Sequence, residues 1–391
     1  MNVDKENLVE FCRDLIRIPS QTGREKEVVR RAQEELLRLG FDDCRCDDFG
    51  SVVGIVRGGS GPKVLLDAHL DTVGVEPISK WTHDPFGAWL EEGRLYGRGA
   101  ADMKGPAAAV VYGAAALLQE KENLKGTVIV SLSTLEELCE GAALGRIIED
   151  YRPDYIVIGE PSNLRLVRGQ RGRAEIALTT YGVPAHSSTP QLGVDAVEKM
   201  TALLRMMSEA KLPTHPFLGT GVQALTDIIS DPYPTQSTVP SRCRATFDRR
   251  LVVGEDESSI AAELHDLIET AKRADPALQA TAEIVSAECR AYTGHSFTFR
   301  KFIPAWEMPA DHELVRAAAS ALEGAGLGGE PPTYYRFCTN GSWACVHAGL
   351  PTIGFGPADP HFAHSIDEYI EIEQLEAAAG GYAAIAIELL S

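Results

Sequence analysis

The chain has 391 residues, 44% hydrophobic and 24% charged, an ordinary globular composition at a length that points to two domains. Its net charge of −19 excludes a phosphate-tracking surface, so no nucleic-acid partner is expected, and no apolar run approaches the roughly 18–20 residues of a membrane span. The eight cysteines (Cys12, Cys44, Cys46, Cys139, Cys243, Cys289, Cys338, Cys345) form no Cys-x-x-Cys pair or dense cluster and residues 1–7 hold no apolar signal core, which implies reduced thiols in a cytoplasmic protein.

In chain order, Leu8, Phe11, Leu15 and Ile18 make a helical stripe over 5–18 that stops at Pro19. Val28, Val29, Ala32, Leu36 and Leu39 make a second over 24–39, closed by Gly40. Residues 52–56 read as a strand, and after a Gly/Ser/Pro turn 64–71 reads as a buried one. A small-residue helix over 107–118, a strand over 127–133, a helix over 142–150 and a strand over 155–159 continue the alternation. This order predicts an α/β domain with a mostly parallel sheet and helices on both faces. The basic run Arg165 to Arg173 reads as a solvated segment or an interdomain hinge.

After Gly172 the texture changes. A strand at 174–181, a helix at 193–209, strands at 222–230 and 242–252, a helix at 256–273 and a strand at 280–288 follow the order of an α+β ferredoxin-like unit. From about residue 296 the first texture returns, with a helix at 311–323, strands at 333–337 and 352–355, and a helix at 371–389. The expected organisation is a metal-binding catalytic domain built from residues 1–172 and 294–391, interrupted by an inserted domain at 173–293.

Chemistry-bearing residues gather at the predicted strand ends, where open α/β sheets collect ligands. His69 and Asp71 lie i,i+2 at the end of 64–71, so both side chains leave one side of the strand. Asp102, the pair Glu136–Glu137, Glu160 and His364 follow at or near later strand ends. A pair of divalent ions needs one bridging carboxylate, imidazole and carboxylate ligands on each side, and an open position for water. His69, Asp102, Glu137, Glu160 and His364 supply such a set. With no thiolate among them, Zn²⁺ is preferred, and Co²⁺ or Mn²⁺ also suits the donors. Asp71 is placed to accept the other ring N–H of His69. Glu136 points away from Glu137 if the backbone is extended there, which leaves it available as a general base on water.

Several residues have plainer readings. His361 stands three residues before His364, so spacing leaves both open as ligands. His83 reads as a loop-shaping residue. Gly97, Gly99 and Gly105 read as turn glycines, because no Walker-type pattern follows them. Cys139 lies near the glutamate pair but has no histidine beside it in sequence, so a thiol nucleophile is the weaker idea.

Together, Asp67-Ala-His69-Leu-Asp71, Gly97-Arg-Gly-Ala-Ala-Asp102-Met-Lys-Gly105, Glu136-Glu137, Gly159-Glu160-Pro161-Ser162, Ala185-His186-Ser187 and Ala363-His364-Ser365 resemble the M20 metallopeptidase and deacylase family. That group includes acetylornithine deacetylase, succinyl-diaminopimelate desuccinylase, aminoacylase and carboxypeptidases. The stretches Pro234–Pro240 and Cys338–Ser342 are most similar to its YgeY-like branch, and Asn340 of the latter is expected to contact substrate. The resemblance implies that His69, Asp102 and Glu160 hold one ion and Asp102, Glu137 and His364 the other, which favours His364 over His361. It implies that Glu136 is the base and that Asp71 orients His69. Arg250 is expected to clamp a substrate carboxylate. The insert resembles a lid or dimerisation domain, with His186 reaching the partner's active site in a homodimer.

The implied activity is metal-dependent hydrolysis of an amide bond in a small N-acyl amino acid. A dipeptidase or carboxypeptidase is the alternative, then an N-carbamoyl amidohydrolase. A non-catalytic binding module is disfavoured, because it has no need of a base. Two departures stand out: Leu135 precedes Glu136 where many relatives have Asp, and Ser237-Thr-Val-Pro240 replaces an Asn-x-Val/Ile-Pro stretch.

Overall fold

The computed structural model describes residues 3–391 and divides into two compact units. The first runs through Gln170 and adds Glu288–Phe297 and Glu307–Ser391; the second is Arg171–Ala287 with Thr298–Trp306.

In the first unit, strands Thr127–Ser133, Lys63–His69, Tyr155–Ile158 and Thr352–Gly354 lie side by side and parallel. Antiparallel strands extend this block: Val52–Arg57 and Asp43–Cys46 beyond Thr127–Ser133, and Val167–Gln170 beyond Thr352–Gly354. Lys63–His69 is buried from Val64 onward, as expected of a parallel strand covered on both faces. Val53, Ile55, Leu65, Ile129, Ile156 and Ile158 share a core with Leu144, Ile147 and Ile148 of helix Ala142–Tyr151. Helices Lys104–Ala115 and Ile372–Leu390 pack on each other and on the central strand. The first of these starts three residues before the apolar pattern suggests, and its alanines and glycines allow the close approach. A Cβ on Gly113 would stand 2.6 Å from the Ala379 carbonyl oxygen.

The basic run is not a solvated segment. Val167–Gln170 within it is a strand of the main sheet with Val167, Gly169 and Gln170 buried, and the Arg168 guanidinium pairs with Glu307 and donates to the Met308 carbonyl. Charged side chains at a sheet margin concealed the strand from pattern reading. A small sheet also escapes the sequence: Trp89–Glu91, Arg94–Tyr96 and Tyr369–Glu371 pair antiparallel, and Gly97 N–H donates to the Glu368 carbonyl. It joins the segment entering Asp102 to the segment leaving His364.

The second unit has strands Gly172–Tyr181, Val222–Asp231, Arg242–Leu251 and Gln279–Ile284, with helices Ala196–Glu209 and Glu257–Ala274. In the unit's own numbering its sheet order is 2-3-1-4, the βαββαβ ferredoxin-like arrangement. Its core holds Ile176, Leu178, Met200, Leu203, Ala245, Phe247, Ile260 and Leu264.

Gly113→Val should force the two packed helices apart and destabilise the protein by about 1–3 kcal/mol, the usual cost of overpacking. A lower urea midpoint with unchanged slope is the expected result.

Candidate metal centre

His69 ends the central strand with its ring buried. Its Nδ1 lies 2.9 Å from the backbone carbonyl oxygen of Asp71. A carbonyl only accepts, so Nδ1 carries the proton and Nε2 faces the cluster. From Nε2, Asp102 Oδ1 is 3.2 Å away, Glu160 Oε1 3.5 Å and Glu136 Oε2 3.7 Å. The other Asp102 oxygen, Oδ2, lies 3.3 Å from His364 Nε2, and His364 Nε2 lies 3.0 Å from Glu137 Oε2. Asp102 thus offers one oxygen to each imidazole. Two overlapping groups close within ligand reach: His69, Glu136 and Glu160, and His69, Asp102 and Glu137.

The role expected of Asp71 is filled differently. Its carboxylate stands 3.5 Å from His69 Nδ1, and the closer partner of the ring is its backbone oxygen. The carboxylate accepts from the Glu136 and Glu137 backbone N–H groups, each at 3.1 Å, and from the Thr22 hydroxyl at 2.8 Å. It holds the turn that carries the glutamate pair. That turn is not extended: Leu135 has φ of 64°, and the reversal brings both Glu136 and Glu137 to the cluster. Leu135 itself is buried with Phe49, Ala143 and Ala291, which explains an apolar residue there.

Two further supports carry no recognisable sequence signal. Glu25 accepts from the backbone N–H groups of Gly23 at 2.8 Å and Leu135 at 3.3 Å, and burial, then the Asp71 charge, lifts its carboxyl to about 7. Glu368 accepts from the N–H groups of Ala101 at 2.8 Å and Asp102 at 2.9 Å, and from Arg98 Nη1 at 2.6 Å. Burial raises Glu368 to about 7 against the pull of Arg98. Sequence distance hid this pair, since 270 residues separate its members.

The electrostatics of the cluster are those of buried carboxylates sharing two imidazoles. Burial drives Glu136 and Glu160 well above the carboxylate range and also raises Glu137. Asp102 goes the other way, because hydrogen bonds from His364 and His69 outweigh its burial. His69 is raised well above its ordinary value, the charges of Glu136, Asp102 and Glu160 overcoming desolvation, and His364 rises to about 10 through Asp102 and Glu137. Glu136 Oε1 and Glu137 Oε1 are buried and accept no hydrogen bond among the described residues. Vacant acceptors, clustered carboxylates and two imidazoles with Nε2 directed inward fit divalent cations.

The remaining candidates fall elsewhere. His361 is 92% exposed at its side chain and stands 3.7 Å from Asp359, away from the cluster that His364 joins. His83 stacks on Trp89 and packs near Tyr96 in a loop. Asn340, expected to contact substrate, is only 3% exposed. Its amide donates to Asp67 at 2.8 Å and Ser133 at 3.0 Å and accepts from Gly141 N–H at 2.6 Å, so it braces the buried floor beneath His69. Arg250 and His186 belong to the second unit. Arg250 Nε pairs with Asp248 at 2.7 Å. His186 is exposed, and its Nδ1 accepts from Ser188 N–H at 3.1 Å.

A parallel α/β sheet whose strand ends converge carboxylates and imidazoles around vacant acceptors is the arrangement of a metallohydrolase. Residues 65–388 match Peptidase family M20/M25/M40. "Uncharacterized protein YgeY" of Escherichia coli (strain K12) is 34% identical over 395 residues, covering 98% of this chain and 95% of that protein. A succinyl-diaminopimelate desuccinylase of Rhodospirillum centenum is 30% identical over 322 residues, covering 74% and 82%. Among solved structures, the Bacillus subtilis YXEP protein, described as a dinuclear metal binding peptidase from the M20 family, superposes with a TM-score of 0.74 at 14% identity, over 99% of this chain and 98% of that one. The chain belongs to peptidase family M20/M25/M40, and it is a hydrolase of amide or peptide bonds.

Arg98→Met leaves the Glu368 carboxyl buried without its cation. The substitution should cost about 3–5 kcal/mol in urea unfolding. By releasing the Asp102 backbone it should also weaken divalent-cation binding about 10–100-fold in calorimetric titration.

Proposed function

We propose that the protein hydrolyses the amide bond of a small N-acyl amino acid, with Glu136 as the general base. The observation that carries this reading is the position of Glu136. Its Oε2 faces the cluster 3.7 Å from His69 Nε2, and its buried Oε1 accepts no hydrogen bond among the described residues, which places a carboxylate oxygen beside the ligand set and able to take a proton. Two divalent ions fit the site, His69, Asp102 and Glu160 holding one and Asp102, Glu137 and His364 the other. The oxygen-and-nitrogen donor set favours Zn²⁺, with Co²⁺ or Mn²⁺ as substitutes. When bound, they supply Lewis acidity to water and to the scissile carbonyl.

The protein's own groups do the rest. Glu136 takes a proton from the attacking water and delivers it to the leaving nitrogen. Asp71 keeps Glu136 in place through its backbone N–H. Arg250 clamps a substrate carboxylate, exchanging part of its pairing with Asp248. The Ser188 N–H bond to Nδ1 leaves the His186 proton on Nε2, a donor suited to the oxygen of the collapsing carbonyl. The second unit, residues 173–293 in the sequence reading, acts as lid and dimerisation domain, and His186 serves the active site of its partner in a homodimer. The desuccinylase relative supports an acylated amino acid as substrate. The cysteines form no disulfide, which is compatible with a cytoplasmic protein, and no described helix is long and apolar enough to cross a membrane.

Glu136→Gln should retain bound metal and fold while kcat on N-acyl amino acids falls about 10²–10⁴-fold. Loss of metal with activity retained would make Glu136 a ligand. The trans role of His186 is tested by mixing two inactive variants, Glu136→Ala and His186→Ala, under conditions that allow subunit exchange. One site in each mixed dimer is then complete, and activity should return. A mixture that stays inactive despite demonstrated exchange contradicts the trans assignment.

A further inference from the structure

The turn that presents the glutamate pair has a second attachment. Cys139, three residues after Glu136, is buried, and its backbone N–H closes the turn on the carbonyls of Leu135 at 2.9 Å and Glu136 at 3.2 Å. Its Sγ stands 2.7 Å from Cys289 Sγ. Cys289 lies on strand Ser286–Arg290, which pairs with Ser296–Arg300 in a hairpin. Residues 288–297 of that hairpin belong to the first unit, while the chain on either side of them, through Ala287 and from Thr298, belongs to the second. The same hairpin is fixed beside the turn by Ala291 packing with Leu135, by the Tyr292 hydroxyl on the Gly50 carbonyl at 3.0 Å and by Thr293 on the Asp48 carbonyl at 2.5 Å. Two thiols are therefore held together where the catalytic turn meets the chain that connects the two units.

We propose that Cys139 and Cys289 form a peroxide-responsive pair whose oxidation to a disulfide slows turnover. Cys289 is the more exposed sulfur and meets the oxidant first. Its thiolate attacks one peroxide oxygen, the O–O bond breaks, and a sulfenic acid forms with release of water after proton uptake. The Cys139 sulfur then attacks the sulfenic sulfur, the S–O bond breaks, and the hydroxyl leaves as a second water carrying the Cys139 proton. Two thiols lose two electrons and hydrogen peroxide gains them. Bond formation draws the sulfurs to roughly 2.05 Å. It ties the backbone behind Glu136 and Glu137 covalently to the hairpin, restricting both the carboxylate turn and any motion of the linking segments. A thiol reductant reverses it.

The experiment treats metal-loaded protein with stoichiometric hydrogen peroxide. Peptide mapping under non-reducing conditions should find Cys139 joined to Cys289. In parallel, kcat on the best amide substrate should fall several-fold and recover with dithiothreitol. Cys289→Ser, which lies outside the catalytic groups, should keep basal kcat and lose the response. Absence of the Cys139–Cys289 peptide, a crosslink that leaves kcat unchanged, or an equal loss of activity in Cys289→Ser would each overturn the proposal. The mapping needs no substrate, so its result stands apart from the assignment of N-acyl amino acids.

Discussion

The structure depends on compensation of buried negative charge. Asp102, Glu136, Glu137 and Glu160 converge within ion-pair distance of His69 or His364, four carboxylates against two imidazoles. Burial pushes Glu136 and Glu160 above the carboxylate range, and the facing carboxylates raise His69 and His364 above the usual imidazole range. Two divalent cations would bring four positive charges, enough to balance the four carboxylates with both imidazoles neutral. An uncompensated buried charge costs several kcal/mol, so such a cluster persists only if something neutralises it.

The fold keeps this arrangement by placing each member on a different element and bracing the backbone behind it. His69 ends the central strand, and its ring is set by the carbonyl two residues on. Asp71 and Glu25 together hold the turn at 135–137, and Glu368 with Arg98 holds the backbone at Asp102. Beneath them Asp67 is fully buried, with Ser131 at 2.7 Å and Asn340 at 2.8 Å supplying hydrogen bonds. These braces are mostly backbone N–H groups donating to carboxylates, strong bonds that fix position without bringing further cations into the cluster. Cys139 belongs to the same layout, since whatever grips the 135–139 turn acts on two site carboxylates.

Sequence reasoning reached the features with local period or strong chemistry. The central strand is a continuous apolar run ending in His69, and the βαββαβ order of the insert is visible in its alternation. It failed where the signal is tertiary. Val167–Gln170 hides behind arginines whose partners lie far along the chain. An extended backbone at 135–137 was a reasonable local expectation, overturned by the positive φ of Leu135, which its burial against Ala291 rewards. Asn340, expected from the family resemblance to contact substrate, has its amide on buried groups at Asp67, Ser133 and Gly141, partners that only the fold brings together. Spacing could not separate His361 from His364; only the folded loop, with one ring in solvent and the other on Glu137, does so.

Metal stoichiometry tests the central claim most directly. Protein stripped with chelator, reloaded with Zn²⁺ and dialysed to equilibrium should hold two ions per chain by elemental analysis, and Asp102→Ala should lose both together because one oxygen of that carboxylate serves each imidazole. A wild-type protein that binds no more than one ion, with Asp102→Ala retaining it, would contradict the account.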